Sequence, residues 1–334
     1  MNFNTIEFLY LFLPITLILF YLAPCKARLP ILIISSFIFY AYADLIPFYF
    51  LIISIFWSFF FTFFIKRKKK INIFAAISVP LVILFLFRYL DFTLDIFSFS
   101  RDEKMQFSFF LGVLLPAGIS FYTFQIISYS IDVITKKIKH EKNFLIYTTY
   151  ISLFPQLIAG PILRFSQIKY QLYDILNKKK LKPEFKHGFK LITFGLFFKV
   201  LCADRILIYN ERTNINDLTS FFEVLHLTVS YSYRIYFDFW AYSIMAIGLA
   251  KLFSINLPRN FLQPYLSKNP VEFWKRWHIT LSYWLRDYIY IPMGGNKNYT
   301  KNIFITFAIC GLWHGAGWNF LLWGFWHAIY IFIY

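Results

Sequence analysis

Charged residues are scarce in this 334-residue chain, at 15%, where an ordinary soluble domain carries about 25%. That shortage excludes a water-facing surface over most of the length. The formal charge of +17 does not indicate nucleic acid, because the lysines fall in short clusters between apolar segments and form no continuous basic face. Cysteine is rarer still. Cys25, Cys202 and Cys310 lie within or beside apolar stretches with no paired spacing, so neither a disulfide framework nor a CxxC metal site is available, and redox chemistry is not expected. No GxGxxG follows a strand and no P-loop occurs, which disfavours a nucleotide-driven pump. No two His or Cys residues stand at metal spacing, so no metal and no bound cofactor are expected. Linkers rich in Ser, Gly or Pro, internal repeats and low-complexity tracts are also missing, so residues 1–334 read as a single membrane domain.

What the chain has in quantity is apolar side chain: 59% of residues are hydrophobic and 23% aromatic. The fold expected is all-α and polytopic. Runs able to cross about 30 Å of hydrocarbon as helices fall at Ile6–Leu22, Leu29–Ala43, Ile46–Ile65, Ile71–Leu90, Phe107–Ile134, Phe189–Tyr209, Phe221–Leu252 and Ile303–Tyr334. The first has no basic segment before it and no small-residue cleavage site after it, so it reads as a retained span. The positive-inside rule puts Lys26 and Arg28, Lys66–Lys70, Lys136–Lys142, Lys178–Lys190, and Lys297 with Lys301 on the cytoplasmic face. The loop Asp91–Lys104 and the loop holding Glu211 and Asp217 then face outward. Phe144–Gly160, between cytoplasmic lysines, must enter and leave on one face, with Pro155, Gly160 and Pro161 as breaks. Such re-entrant backbone survives only inside protein or beside a water-filled cavity, so a cavity is expected.

Val271–Ile291 differs from the spans. Read as one helix, Lys275, His278, Ser282 and Arg286 form a polar stripe, while Trp274, Trp277, Leu281 and Tyr288 cover another face. That helix would lie at the interface or line a vestibule, ending at Ile291-Pro-Met-Gly-Gly295.

The strongest chemical signal is His314, set in Gly311-Leu-Trp-His-Gly-Ala-Gly-Trp-Asn-Phe320 within the apolar run to the chain end. Ionisable groups at that depth are costly and mark reaction centres or transport paths. A neutral imidazole there can take a proton from an alcohol, or can serve as a hydrogen-bonding tie between helices. His278 has a second reading as a solvated side chain beside Lys275 and Arg276. His327, thirteen residues beyond His314, would be turned away on a straight helix and serve structure. Cys310, one turn before His314, imitates a Cys/His pair, but a buried thiol there reads as packing. Arg234 and Asp238, four apart in one span, read as a mutually neutralising pair that could also line a pore. Lysine runs such as Lys66–Lys70 read as orientation signals and contacts for membrane lipids.

Several blocks together resemble the membrane-bound O-acyltransferases, and among them the bacterial alginate O-acetyltransferase type. They are Gly118-Ile-Ser-Phe-Tyr-Thr-Phe-Gln-Ile-Ile-Ser-Tyr-Ser-Ile-Asp132, Pro155-Gln-Leu-Ile-Ala-Gly-Pro-Ile-Leu-Arg164, Tyr236-Phe-Asp-Phe239 with Met245-Ala-Ile-Gly-Leu-Ala250, Asn260-Phe-Leu-Gln-Pro-Tyr265, Phe273 to Ser282 running to Gly294-Gly-Asn296, and Gly311–Phe320. The resemblance implies helices around a transmembrane tunnel, with His314 as catalytic histidine and His278 as second signature histidine. It implies substrate contacts from Trp274, Lys275, Arg276, Trp277, Ser282, Trp313 and Asn319, and from Gln156 and Arg164 in the funnel segment. Lys275 and Arg276 would meet coenzyme A phosphates.

By the same resemblance, the family moves an acyl group from a cytoplasmic thioester, here acetyl-CoA, across the inner membrane. An extracytoplasmic esterase-like partner would complete O-acetylation of a polysaccharide. A related branch transfers D-alanine to teichoic acids, but Tyr290–Asn296 looks more like the acetyltransferase branch. Where the alginate type carries an acid after Tyr-Ser, this chain has Ile244, so no role for that carboxylate carries over. Members of that type continue for further spans beyond the His314 block, so a chain ending at Tyr334 is expected to be C-terminally truncated. A proton-relaying transporter or flippase, and a structural remnant scaffolding a surface complex, are the readings from other classes.

Overall fold

The computed structural model describes residues 1–42, 44–64, 71–98, 117–213 and 220–334. Lys66–Lys70, residues 99–116 and Asp217 lie outside the described residues, and with them parts of three expected loops and spans. Regular structure is helical throughout, with no strand among the described residues. In chain order the helices are α1 (Glu7–Leu22), α2 (Cys25–Ala41), α3 (Leu45–Phe64), α4 (Ile71–Arg88), α5 (Leu90–Ile96), α6 (Ile119–Ile134), α7 (Phe144–Ser152) and α8 (Phe154–Leu157). There follow α9 (Phe165–Asn177), α10 (Phe185–Phe197), α11 (Asp204–Arg212), α12 (Phe221–Leu252), α13 (Pro270–Arg276), α14 (Ile279–Leu285), α15 (Tyr299–His314) and α16 (Trp318–Ile333). A wider π turn joins α10 to α11 at Phe198–Ala203, and another follows α14 at Arg286–Tyr290.

Of the expected spans, α3 and α12 are single helices long and apolar enough to cross a membrane, and α4 with α5 would make a third across a 65° bend. The bend falls where a loop was expected: Asp91 and Asp95 sit on α5. The chain divides into two compact units, each assembled from three separate stretches.

The first unit comprises Met1–Ala43, Leu153–Pro161 and Gln167–Arg259. Its long helix, α12, starts with a capping box in which the Ser220 hydroxyl accepts from Glu223 N–H and the Glu223 carboxylate accepts from Ser220 N–H. Arg28 donates to the carbonyls of Lys178 and Lys179 at 2.8 and 3.0 Å, tying two of the basic stretches to each other. Lys251 at the end of α12 reaches Glu184 at 2.7 Å. That hydrogen bond, with a lesser one from His187, holds the Glu184 carboxyl below its ordinary pKa. The Arg234–Asp238 pair does not form. Asp238 instead meets Lys199 at 2.7 Å, and Lys199 also reaches Asp204 at 2.7 Å, while Arg234 lies over the Tyr231 ring at 5.7 Å. A cation from the neighbouring π turn gave the carboxylate a partner that its own helix spacing could not reveal.

The second unit comprises Asp44–Ser152, Ile162–Ser166 and Asn260–Tyr334. Along α3, Ser54, Ser58 and Thr62 are fully buried at four-residue spacing, each bonding the carbonyl four residues back, and the Ser58 hydroxyl shares a 2.7 Å bond with Tyr147. The opposite face exposes Ile53, Phe56, Phe60 and Phe63. Small polar groups inward and large apolar groups outward is the pattern of a helix in lipid. Phe124 stacks on Trp284 with centroids 3.9 Å apart, and the Trp284 N–H donates to the Phe124 carbonyl at 3.0 Å.

The apolar run Ile303–Tyr334 is two helices, α15 and α16, folded against each other across Gly315–Gly317. Their backbones touch: a Cβ on Gly311 would overlap the Phe320 carbonyl, and one on Gly324 the Phe307 carbonyl. Gly311→Ala must therefore part the hairpin, and overpacking of this kind costs about 1–3 kcal/mol. A lowered thermal midpoint of the solubilised chain is the expected outcome, and an unchanged midpoint would refute the close crossing.

Candidate active site

The hairpin sets His314 as the last residue of α15. The last four carbonyls of a helix have no partner within it and need one from outside. Here all four are answered. Gly311 O accepts from Gly315 N–H at 3.2 Å, and Leu312 O from the Tyr89 hydroxyl at 2.9 Å. The Arg88 guanidinium donates to Trp313 O and, at 2.7 Å, to His314 O. Arg88 also reaches the Ser120 hydroxyl on α6 at 3.1 Å. Arg88 and Tyr89 come from the α4–α5 bend, so that bend exists at the point where it caps the histidine helix. A cation is also the favoured charge at a helix C-terminus.

The His314 ring sits edge-on between two indoles, Trp313 at 4.9 Å and Trp323 at 4.9 Å. The residue is half-buried, but its Nε2 is covered and has no hydrogen-bond partner. Trp313 also makes an edge contact with His278 at 5.4 Å, so that one indole touches both imidazoles.

His278 is fully buried, so the solvated reading fails. The single helix expected over Val271–Ile291 is broken at this residue, between α13 and α14, and His278 leaves the expected polar stripe, whose Lys275, Ser282 and Arg286 still share one cavity. His278 adopts the left-handed conformation, φ 42° and ψ 54°, which a non-glycine residue holds only when its surroundings enforce it. The enforcement is visible. Leu262 N–H donates to Arg276 O at 3.0 Å and Ile279 N–H to Asn260 O at 2.9 Å, clamping both sides of the break. Asn260 Oδ1 accepts from the Thr280 amide at 3.3 Å and the Thr280 hydroxyl at 2.9 Å, which identifies it as the oxygen. His278 Nδ1, 3.0 Å from the same atom, is therefore the donor, and in the neutral ring Nε2 keeps the lone pair.

The remaining expected residues divide. Trp274, Lys275 and Ser282 line a cavity of about 360 Å³ that neither histidine touches. Arg276 is engaged by Glu272 at 2.7 Å and by Leu262 O at 3.3 Å, which leaves its charge neutralised. The Lys268 N–H, followed by Arg276, keeps the Glu272 carboxyl below its ordinary pKa. Trp277 stacks on Phe273 at 5.5 Å and edges Phe261 at 5.1 Å. Arg164 pairs with Asp287 and donates to Tyr283 O at 3.2 Å. Asn319 is exposed in the first turn of α16, and Gln156 is buried in the first unit on α8. Cys310 is buried in the core as expected. His327, one turn beyond Trp323 on α16, touches that indole at 4.6 Å, and the hairpin lays the same indole on His314. Among the described residues no three His, Cys, Asp or Glu side chains come together as metal ligands.

Arg88, Tyr89, Asn260 and Thr280 escaped the sequence reading as site residues. Asn260 stood in a motif block without a role, and Arg88 closed an apolar run where only its charge could have drawn notice.

The described residues are helical with apolar outer faces, the architecture of a membrane protein, and a buried and a half-buried histidine, each at a helix boundary, share one indole. Residues 135–333 match the model of the membrane-bound O-acyltransferase family. The probable alginate O-acetylase AlgI of Pseudomonas putida is 36% identical over 99% of this chain and 70% of its own length. The peptidoglycan O-acetyltransferase of Helicobacter pylori is 33% identical over 98% of the chain and 69% of its own length. The teichoic acid D-alanyltransferase of Streptococcus thermophilus is more distant, 28% identical over 64% of the chain and 55% of its own length. The chain belongs to the membrane-bound O-acyltransferase family, a family of acyl-transfer enzymes. It spans 65–70% of the length of the alginate relatives.

Removing the Arg88 cap should displace His314. Arg88→Met is expected to lower kcat about a hundredfold, the penalty of a misplacement near 1 Å, with little change in donor KM. Arg88→Lys, which keeps one donor, should recover part of it. Equal loss in both variants together with a collapsed thermal midpoint would assign Arg88 to stability alone.

Proposed function

We propose that this chain transfers an acetyl group from acetyl-CoA, bound on the cytoplasmic side, toward O-acetylation of a cell-surface or extracellular polysaccharide. The relatives named as alginate O-acetylase and peptidoglycan O-acetyltransferase support that acceptor class. The observation that carries the chemistry is the covered His314 Nε2 without a partner, held at a fully capped helix end and sharing the Trp313 indole with His278. A buried nitrogen in that condition is destabilised until a substrate hydroxyl meets it.

His314 Nε2 takes the proton of the acceptor hydroxyl as its oxygen attacks the thioester carbonyl. The C–O bond forms, the carbonyl electrons move onto oxygen, and the tetrahedral adduct collapses with loss of the coenzyme A thiolate. The thiolate recovers the proton from His314. His278, fixed by Asn260, lies beside this centre and orients the acceptor through its Nε2 lone pair. Trp313, in ring contact with both histidines, supplies an apolar wall.

The reaction as proposed runs in a multi-pass protein of the inner membrane. The Phe144–Gly160 segment, whose Tyr147, Tyr150 and Phe154 are fully buried, would be the re-entrant piece of a helical tunnel. An extracytoplasmic esterase-like partner would receive the group and set the glycan specificity.

Membranes containing the chain, given radiolabelled acetyl-CoA and acceptor, should release free coenzyme A, and His314→Ala should reduce that release by at least about a hundredfold, the lower range for one general base. Release unchanged in His314→Ala would overturn the reading. Release that requires a D-alanyl carrier thioester and ignores acetyl-CoA would move the chain to the D-alanyl branch.

A further inference from the structure

The cavity lined by Trp274 and Lys275 has no part in the chemistry above. At about 360 Å³ it falls in the range of small-ligand pockets, roughly 300–1,000 Å³. Its interior is apolar, walled by Ile303, Phe307, Cys310 and Ile331. Two cations stand on it. Arg286 is held by Asp287 at 2.7 Å, a carboxylate it shares with Arg164, whereas Lys275 is exposed and has no ion-pair partner among the described residues. Trp274 is nine-tenths buried, and its indole N–H is covered and meets no acceptor. An apolar lumen with one free cation on it describes an occupant with a hydrocarbon tail and an anionic head.

The expected orientation of the basic loops gives the side of the membrane. Tyr288, next to the cavity-lining Arg286, donates to Asp132 at 2.8 Å, and Lys137 lies over the Tyr288 ring at 5.7 Å. Lys137 belongs to the Lys136–Lys142 cluster, one of those that the positive-inside rule assigns to the cytoplasm. The cytoplasmic leaflet is the one enriched in anionic lipid, and basic pockets between helices on that side bind lipid head groups.

We propose that this cavity is a lipid site holding one acyl chain of an anionic glycerophospholipid. The acyl chain fills the apolar lumen and the phosphate meets Lys275. The occupant is separated from His314 by two indoles in series, since Trp274 contacts Trp323 at 5.9 Å and Trp323 contacts His314 at 4.9 Å. The lipid is therefore no substrate. It braces α13 and the hairpin that carry the site. Its binding is independent of acetyl transfer and is tested without turnover.

Cys310 in the cavity wall supplies a reporter. In a chain carrying Cys25→Ala and Cys202→Ala, maleimide alkylation reads Cys310 alone. In detergent, phosphatidylglycerol is expected to slow that alkylation more than phosphatidylcholine does by about fivefold, what one lysine contributes near an anionic head group. Lys275→Gln should erase the preference, and native mass spectrometry should show one retained phosphatidylglycerol in the parent chain and less in Lys275→Gln. If Cys310 resists alkylation in every condition, the mass measurement decides on its own. Equal effects of the two lipids, protection by inorganic phosphate alone, or protection by coenzyme A in place of lipid would each overturn the proposal.

Discussion

The guanidinium of Arg88 carries more of this structure than any other single group. A helix that stops within an apolar environment leaves carbonyls that water cannot reach, and each such orphan is expensive. The α15 helix nevertheless stops at His314, because Arg88 and Tyr89 arrive from the α4–α5 bend to take the carbonyls of Leu312, Trp313 and His314. Without that cap the chain would gain by continuing the helix through Gly315, and the imidazole would stand on an ordinary helical flank. The cap turns a sequence capable of one long helix into a hairpin with its histidine at the corner. The guanidinium's third tie, to Ser120 on α6, fixes the corner to the helix whose Phe121 packs against Trp313 and His278.

The second histidine is held by the same kind of device. His278 also occupies a helix boundary, and its position also rests on groups far along the chain, here Asn260 and its paired backbone. A histidine within a continuous helix has its neighbours dictated by the 3.6-residue repeat, and the backbone there has no spare groups. At a boundary, the ring direction is set by the cap, and the local backbone hydrogen bonds are replaced by specific side chains. Two such boundaries brought together give a pair of imidazoles whose surroundings are aromatic and whose tethers are polar.

Sequence patterns revealed composition-level properties and missed those that depend on a break. Apolar runs located α3 and α12 because uninterrupted hydrophobicity over that length has few other outcomes. The burial of Cys310 was legible from the residues, and the family likeness singled out His278 and His314, which the fold brings to opposite sides of Trp313. The division of Ile303–Tyr334 was not, since Gly315 and Gly317 alone do not end a helix; the Arg88 cap does, and it lies 226 residues away from His314. The single helix over Val271–Ile291 failed for a related reason. Its spacing was helical, but Asn260 and Leu262 pull the backbone out of register at His278. Asp238 found Lys199 in place of Arg234 because the choice between two cations depends on how α10 and α12 pack, where Gly188 and Gly248 bring the backbones close.

The inverted pattern of α3 bears on why such tethers suffice. In water, burial of Phe56 and Phe60 would drive folding and the serines would face out. Here the aromatic rings are exposed and Ser54, Ser58 and Thr62 are inside, which means that the apolar effect supplies little preference for one helix arrangement over another. Specificity then falls to a small number of polar contacts in a low-dielectric interior, where each is strengthened and each vacancy is penalised. The Ser58 to Tyr147 bond, the Tyr288 to Asp132 bond and the Arg88 cap are contacts of that kind, and all three converge on the unit that carries both histidines. The unpartnered imidazole nitrogen of His314 persists beside a helix end whose last four carbonyls have all been satisfied.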